Sequence, residues 1–309
     1  MRHNIFHSLL IVVLLWSIPS LAQQEGIFSQ YMYNPAAINT AYTGSRSEHI
    51  VYLQYRSQWN QLEGSPQTLY FNYQNPGANK LSTGISIMQE KTSPMSQLSI
   101  GVDFAYQLQI DDDSYISLGL KPMLDYLNVD FSGLNIYNPQ DPWFQVNIDR
   151  RLSPNVGLGI YYYDQRGYIG LSSSGILATD HFDQASPTSY LAADRAHYYL
   201  MAGKVLELSD NVLFKPSFLM RAVKGVPLQF DISANVRIED RIEAGLSYRY
   251  SGALSALMAF RVQNNLLVGY SYDKEMSYIG SFTGSTSELF VRYEFSPKLI
   301  KTIYKPRFF

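Results

Sequence analysis

From Leu98 to Tyr126 the chain repeats with a period of two residues. Leu98, Ile100, Val102, Phe104, Tyr106 and Leu108 take every second position, and Ser99, Gly101, Asp103, Ala105 and Gln107 fill the gaps. After the polar turn Asp111-Asp112-Asp113-Ser114 the pattern resumes. Ile116, Leu118, Leu120, Pro122, Leu124 and Tyr126 then face away from Ser117, Gly119, Lys121, Met123 and Asp125. Successive side chains of an extended strand point to opposite faces, so this period makes one apolar and one polar face. Two architectures use such a strand. In a soluble sandwich the apolar face meets a second sheet. In an outer-membrane barrel it meets lipid, and the polar face looks into the lumen.

The same alternation recurs along the chain and predicts about 14 strands. Their connections separate the two architectures. Asn75–Lys80, Asp111–Ser114, Asp164–Gly167, Ser209–Asn211, Glu239–Arg241 and Gln263–Asn265 are short. Between them fall Ser57–Ser65, Glu90–Pro94, Leu127–Asn155, Ser173–Ala196, Val223–Pro227, Ser251–Leu254 and Asp273–Ser285, a set that holds every long one. Short periplasmic turns alternating with longer outer loops are the mark of a transmembrane barrel. The fold expected is therefore an all-β, antiparallel, transmembrane β-barrel with both ends of the chain on the periplasmic side.

The strand charges agree with a polar interior. Arg56, Asp103, Lys121, Asp125, Lys215 and Arg221 lie on the small, polar face, as do Asp231, Arg237, Glu243, Arg249, Arg261, Arg292 and Glu294. On the lipid face an Arg or Lys costs about 2–4 kcal/mol at mid-bilayer. A dry core would need each charge paired, whereas a wet, mixed-sign lumen accommodates them all. Pro122 and Pro216 fall on the apolar face, where a bulge or irregular pairing is expected because proline donates no ladder bond. Only 16% of residues are charged, against about 25% in ordinary soluble domains. The 25 tyrosines suit a membrane interface, where a ring needs an apolar body and a wet tip.

The ends of the chain read differently. Arg2 precedes the apolar run Leu9–Trp16, and Ser20 and Ala22 are small, which is the pattern of an export signal cut near Ala22. The absence of cysteine excludes disulfides, thiolate metal sites and a lipoprotein anchor. The near-balanced charge, −2, gives no sign of nucleic-acid binding. The organisation expected is a signal peptide at 1–22, an N-terminal periplasmic or plug segment at 23–47, a barrel at 48–295 and a basic periplasmic tail at 296–309. That tail carries Lys298, Lys301, Lys305 and Arg307 with no acid. It is expected either to be disordered or to contact periplasmic partners.

Phe28–Gly44 is aromatic and amide-rich, without charge or alternation. A free tail would be polar and poor in aromatics. Phe28, Tyr31, Tyr33 and Tyr42 are expected to pack against lumen tyrosines, with Asn34, Pro35 and Asn39 shaping a plug. An arm along the periplasmic rim is the alternative.

The sequence resembles the PorP/SprF family of type IX secretion outer-membrane proteins over nearly the whole mature chain. The resemblance rests on FSQYMYNPAAINTAYTGS at Phe28–Ser45, YRSQW at Tyr55–Trp59 and GSPQT at Gly64–Thr68. It continues in VGLGIYYYDQRGYIGLS at Val156–Ser172 and LFKPSFLMRAVKGVPLQFDISAN at Leu213–Asn235. GYSYD at Gly269–Asp273 and TSELFVRYEF at Thr286–Phe295 complete it. Where the family has Gly-Ser-His-Glu in its last motif, this chain has Ser285-Thr286-Ser287-Glu288. The resemblance implies an outer-membrane barrel, embedded in lipid, that serves export or surface anchoring of an adhesin-like secreted protein through that partner's type IX C-terminal domain. It also implies contact with other type IX components on the periplasmic side. A porin or small-molecule transporter is the alternative reading.

No catalytic set stands out. Asp111-Asp112-Asp113 reads as a solvated turn rather than a metal site. Asp164, Asp180, Asp183 and Asp194 read as loop residues, and His181 and His197 lack metalloprotease spacing. No cofactor is expected. Aromatics at Asn138–Trp143 and Tyr278–Phe282 are candidate anchors for a protein ligand on the outer loops.

Overall fold

In the computed structural model the residues described are 28–77, 80–134, 147–177, 179–180, 193–250, 252–276 and 280–295. The barrel strands are β1 (His49–Ser57), β2 (Gln67–Asn75), β3 (Leu81–Thr92), β4 (Met95–Gln109), β5 (Tyr115–Val129), β6 (Ile148–Tyr163) and β7 (Gly167–Ser173). They continue with β8 (His197–Lys204, prolonged past Val205 as Leu206–Ser209), β9 (Val212–Val223), β10 (Gln229–Ile238), β11 (Ile242–Arg249), β12 (Ala253–Gln263), β13 (Leu266–Glu275) and β14 (Ser285–Phe295). Each pairs antiparallel with its sequence neighbours, and β1 pairs with β14 from His49↔Phe295 to Ser57↔Ser287. The sheet is thus a closed 14-stranded barrel without free edges. Residue pairs Thr179–Asp180 and Ala193–Asp194 form a small ladder outside it.

The barrel is apolar on the outside and polar within. Leu53, Ile100, Leu120, Ile160, Ile232, Met258 and Leu289 are exposed on the outer face. Exposed rings sit near both ends of the wall. Tyr106, Tyr162, Phe260 and Tyr293 lie toward the short turns, and Tyr55, Tyr198, Tyr248 and Tyr272 toward the long loops. Rings at two levels flanking an aliphatic belt match the two interfaces of a bilayer. No helix among the described residues is long and apolar enough to cross a membrane.

The wall is uneven in height. β4, β5 and β6 run 15, 15 and 16 residues, against 9 in β1 and 7 in β7. The stretches 127–129 and 148–155, expected to belong to a loop, are strand. Above the membrane both faces of a strand meet polar surroundings, so Ile148-Asp149-Arg150-Arg151 loses the alternation that marks strands in lipid. Likewise Glu90–Pro94 is mostly strand, with Ser93 and Pro94 alone linking β3 to β4.

At the prolines the ladder is interrupted without an inserted residue. Gly101↔Met123 and Phe104↔Leu120 keep one register across Pro122. Gly203↔Ser217 and Leu206↔Phe214 keep one across Pro216. The Val205 N–H bonds on the other side of the strand, to the Arg166 carbonyl 2.6 Å away, and continues the pairing with β7 past Lys204↔Gly167. Of the two alternatives it is irregular pairing, not a bulge, that occurs.

Candidate functional site: the filled lumen

The inward positions of the strands alternate small and polar residues with tyrosines, which leaves room inside the wall. Phe28–Arg46 occupies it. Asn34-Pro35 prevents a continuous helix, and the segment folds as three short 3-10 turns, Tyr31–Tyr33, Pro35–Ala37 and Thr40–Tyr42. The Asn39 side chain caps the last, accepting from the Ala41 N–H at 3.0 Å. Phe28, Tyr31, Tyr33, Asn34, Pro35, Asn39 and Tyr42 are all buried inside the barrel.

The third turn rests on bare backbone. An added Cβ at Gly119 of β5 would lie 2.3 Å from the Ala41 nitrogen, and one at Gly159 of β6 2.1 Å from Asn39 Oδ1. Asn39 Nδ2 donates to the Ile160 carbonyl (3.0 Å), Thr40 Oγ1 to Asp103 (2.8 Å), and Ser172 Oγ to the Ile38 carbonyl (2.9 Å). On the opposite wall Lys215 Nζ donates to the Met32 carbonyl (3.3 Å) and Arg292 to the Tyr33 carbonyl (3.1 Å). Gln74 Nε2 donates to Asn34 Oδ1 (3.3 Å). Rings add contacts between Phe28 and Tyr70, Tyr33 and Phe290, and Tyr42 and Tyr161.

The segment has a direction. Arg46 pairs with Glu294 at 2.6 Å, beside the short-turn end, and the Gly44 carbonyl accepts from Gln107 there. Residues 28–30 lie near the long-loop end. The Ser29 N–H donates to Glu288 (2.8 Å), its hydroxyl to Asp273 (2.6 Å), and the Gln30 N–H to Glu288 (3.2 Å). Glu288 also accepts from Gln54 and Arg56, and Arg56 reaches Asp273 at 3.3 Å. A buried carboxylate with this many donors is compensated for lost hydration.

The remaining predicted interior charges also face inward. Asp231 takes a two-pronged contact from Arg249, at 3.1 and 2.8 Å. Glu294 collects Arg292 (3.0 Å) and Arg261 (3.6 Å) besides Arg46. Lys121 lies 3.8 Å from Asp103, Asp125 accepts from Ser99, and Arg237 reaches Asp240 at 3.1 Å. Lys215, Arg221 and Glu243 are buried. The wet lumen expected for these groups is, at the level of the N-terminal segment, a packed and largely ion-paired interior, because the segment takes the space that water would hold.

Sequence reasoning puts Glu288 on the inward face by its alternation with Leu289 and Val291, but misses Asp273 and Arg46 as interior charges. The expected connection Asp273–Ser285 takes in Asp273, yet β13 continues to Glu275. One more step of the Gly269, Ser271 parity reaches Asp273. Arg46 precedes β1, where no alternation could mark it.

The other candidates scatter. Asp111 caps its own turn, accepting from the Ser114 hydroxyl and from the Asp113 and Ser114 N–H groups (3.1 and 2.7 Å), and these hydrogen bonds hold its carboxyl below the usual range. Asp164 accepts from the Arg166 and Gly167 N–H groups in its own turn. His197 is buried beside the Tyr199 hydroxyl. Among the described residues no three His, Asp or Glu side chains gather to hold a metal. Phe282 is exposed. Asp180 and Asp194 lie in the small ladder, opposite Ala193 and Thr179. The export signal, Asn138–Trp143, His181, Asp183 and the tail residues Lys298, Lys301, Lys305 and Arg307 lie outside the described residues.

Residues 20–293 match the model of a family described as type IX secretion system membrane protein PorP/SprF. No curated protein matches the sequence. Among solved structures, the Ralstonia pickettii toluene transporter TbuX is similar at 11% identity, with a TM-score of 0.51 over 87% of this chain and 93% of that one. The monoaromatic hydrocarbon channel CymD follows at 9% identity and TM-score 0.49, over 90% and 95%. Acinetobacter baumannii Omp33 has 10% identity and TM-score 0.44, over 81% and 99%. At these identities the likeness is one of fold, an outer-membrane barrel.

Proposed function

The chain belongs to the PorP/SprF family of type IX secretion system membrane proteins, and from that premise we propose that it is a non-catalytic barrel that supports export or surface anchoring of one secreted partner. The partner is held through its type IX C-terminal domain on the long-loop side. The periplasmic side, with the basic tail 296–309, meets other components of the apparatus. Phe28–Gly44 acts as a plug, so the barrel presents a surface rather than a passage.

The observation that carries this reading is the seating of the N-terminal segment across the lumen, bonded to β2, β4, β6, β7, β9 and β14. A porin needs a continuous aqueous path, and about ten hydrogen bonds at roughly 0.5–1.5 kcal/mol each oppose opening one here. Deleting the gene should leave one surface protein missing or shed, and the detergent-solubilised barrel should copurify with it. Normal display of every type IX cargo would count against the reading. In planar bilayers the wild type should be silent and a variant lacking Phe28–Gly44 should conduct. Porin-like conductance of the wild type would favour the transport alternative instead.

A further inference from the structure

Above the plug, on the tall side of the wall, the lumen keeps a cavity of about 110 Å³ between β3, β4, β5, β6 and the end of β7. Its floor is Ala36 to Thr40 of the N-terminal segment. Its rim, at the long-loop end, includes Glu90, Gln97 and Arg195. The pocket therefore faces the long-loop end and is blind below. A solute entering it has nowhere to go, which separates it from a transport path.

Its chemistry narrows the occupant. Glu90, Asp125, Lys121 and Arg195 all line it, so the lining carries both signs and makes no filter for one ion charge. Met88 and Met123 give it adaptable apolar surface. A sugar would want an open aromatic face. The aromatic here, Tyr70, already has its ring against Phe28 and Tyr52. Interspersed donors and acceptors of both charges, with methionine between them, suit a peptide, whose backbone supplies both.

We infer that this blind outer pocket receives a polar peptide segment of the exported partner, seated directly on the plug. The inference rests on the proposed function and names its contact point within the barrel. A bound segment lies against Ala36 to Thr40, so the partner reads the seated plug rather than the loops alone.

The chain has no cysteine, so single substitutions report cleanly. Met123→Cys and Met88→Cys place thiols at half-buried positions of the pocket lining, and Asp112→Cys places one in a turn at the opposite end. Each barrel is purified from export-blocked cells and, with whatever partner copurifies, from export-competent cells, then treated with a small maleimide. The expected result is labelling of both pocket cysteines in the empty barrel and at least tenfold slower labelling in the complex, with Asp112→Cys unchanged. Equal labelling in a complex that demonstrably holds a type IX C-terminal domain overturns the pocket and leaves the proposed function standing. So do pocket thiols that never react in the empty barrel. If no such partner copurifies, the proposed function itself fails, and the pocket assignment with it.

Discussion

Replacing Gly119 by alanine should unseat the N-terminal segment while leaving the wall intact. The new Cβ would stand 2.3 Å from the Ala41 nitrogen, 2.7 Å from Ala41 Cα and 2.7 Å from Thr40 Cγ2. Two of these three atoms are backbone, so no side-chain rotation relieves the clash. The Thr40–Tyr42 turn has to lift by roughly 1 Å to reach ordinary contact distance, near 3.5 Å. Overpacking of this sort costs about 1–3 kcal/mol. Lifting also stretches the Thr40–Asp103 bond, which is to a charged group and contributes about 1.5–3 kcal/mol. Strain of 1–3 kcal/mol shifts the seated-to-unseated ratio by roughly 5–150-fold, and loss of the Asp103 contact adds to it. The wall tolerates the change because Gly119 pairs with Ala105 and Gly159, both small. Single-channel recording in planar bilayers should show a silent wild type, flickering openings in Gly119→Ala and sustained openings in Gly119→Val. Heat-modifiable migration on gels should show all three folded. Gly133→Val, with nothing within 4 Å of the added Cβ, is the silent control. A folded Gly119→Val barrel that stays closed refutes the argument that close seating on β5 holds the segment.

Arg56→Met leaves Glu288 and Asp273 buried without their shared cation. It should destabilise the barrel by about 3–5 kcal/mol in urea unfolding, with partial recovery in Arg56→Met/Glu288→Met; no change in the midpoint would show that Ser29, Gln30 and Gln54 alone satisfy Glu288. Leu53→Arg puts a charge on the lipid face near the middle of β1 and should cost about 2–4 kcal/mol, read as lost membrane insertion; unchanged yield would argue that this face does not meet lipid. Protease added to intact cells should cut within Leu127–Asn155 or Ser173–Ala196 and spare Asp111–Ser114; cleavage at Asp111–Ser114 in sealed cells would invert the barrel.

Period-two alternation is a local property, and it was sufficient to predict about 14 strands, to tell outward Leu53 or Ile100 from inward Arg56 or Asp103, and to find the set of connections that holds every long one. Alternation works because lipid imposes one polarity on one face of every strand. Where lipid stops, the constraint stops. That is why the outer reaches of β5 and β6 around Leu127 and Asp149 read as loop, and why Asp273 was left outside its strand. Pairings across the lumen obey no local rule at all. Ser29 meets Glu288 from 259 positions away, and Thr40 meets Asp103 from 63. The aromatic, uncharged make-up of Phe28–Gly44 argued for burial from the sequence alone. Its path depends on which strand glycines come to face the same point inside the barrel, and Gly119, Gly159 and Gly170 are brought together only when the sheet closes. The outer pocket has the same origin, because its walls come from β3–β7 and its floor from the segment before β1. Side chains so far apart in the chain share one cavity through barrel closure, a property of the tertiary structure that no stretch of the sequence carries by itself.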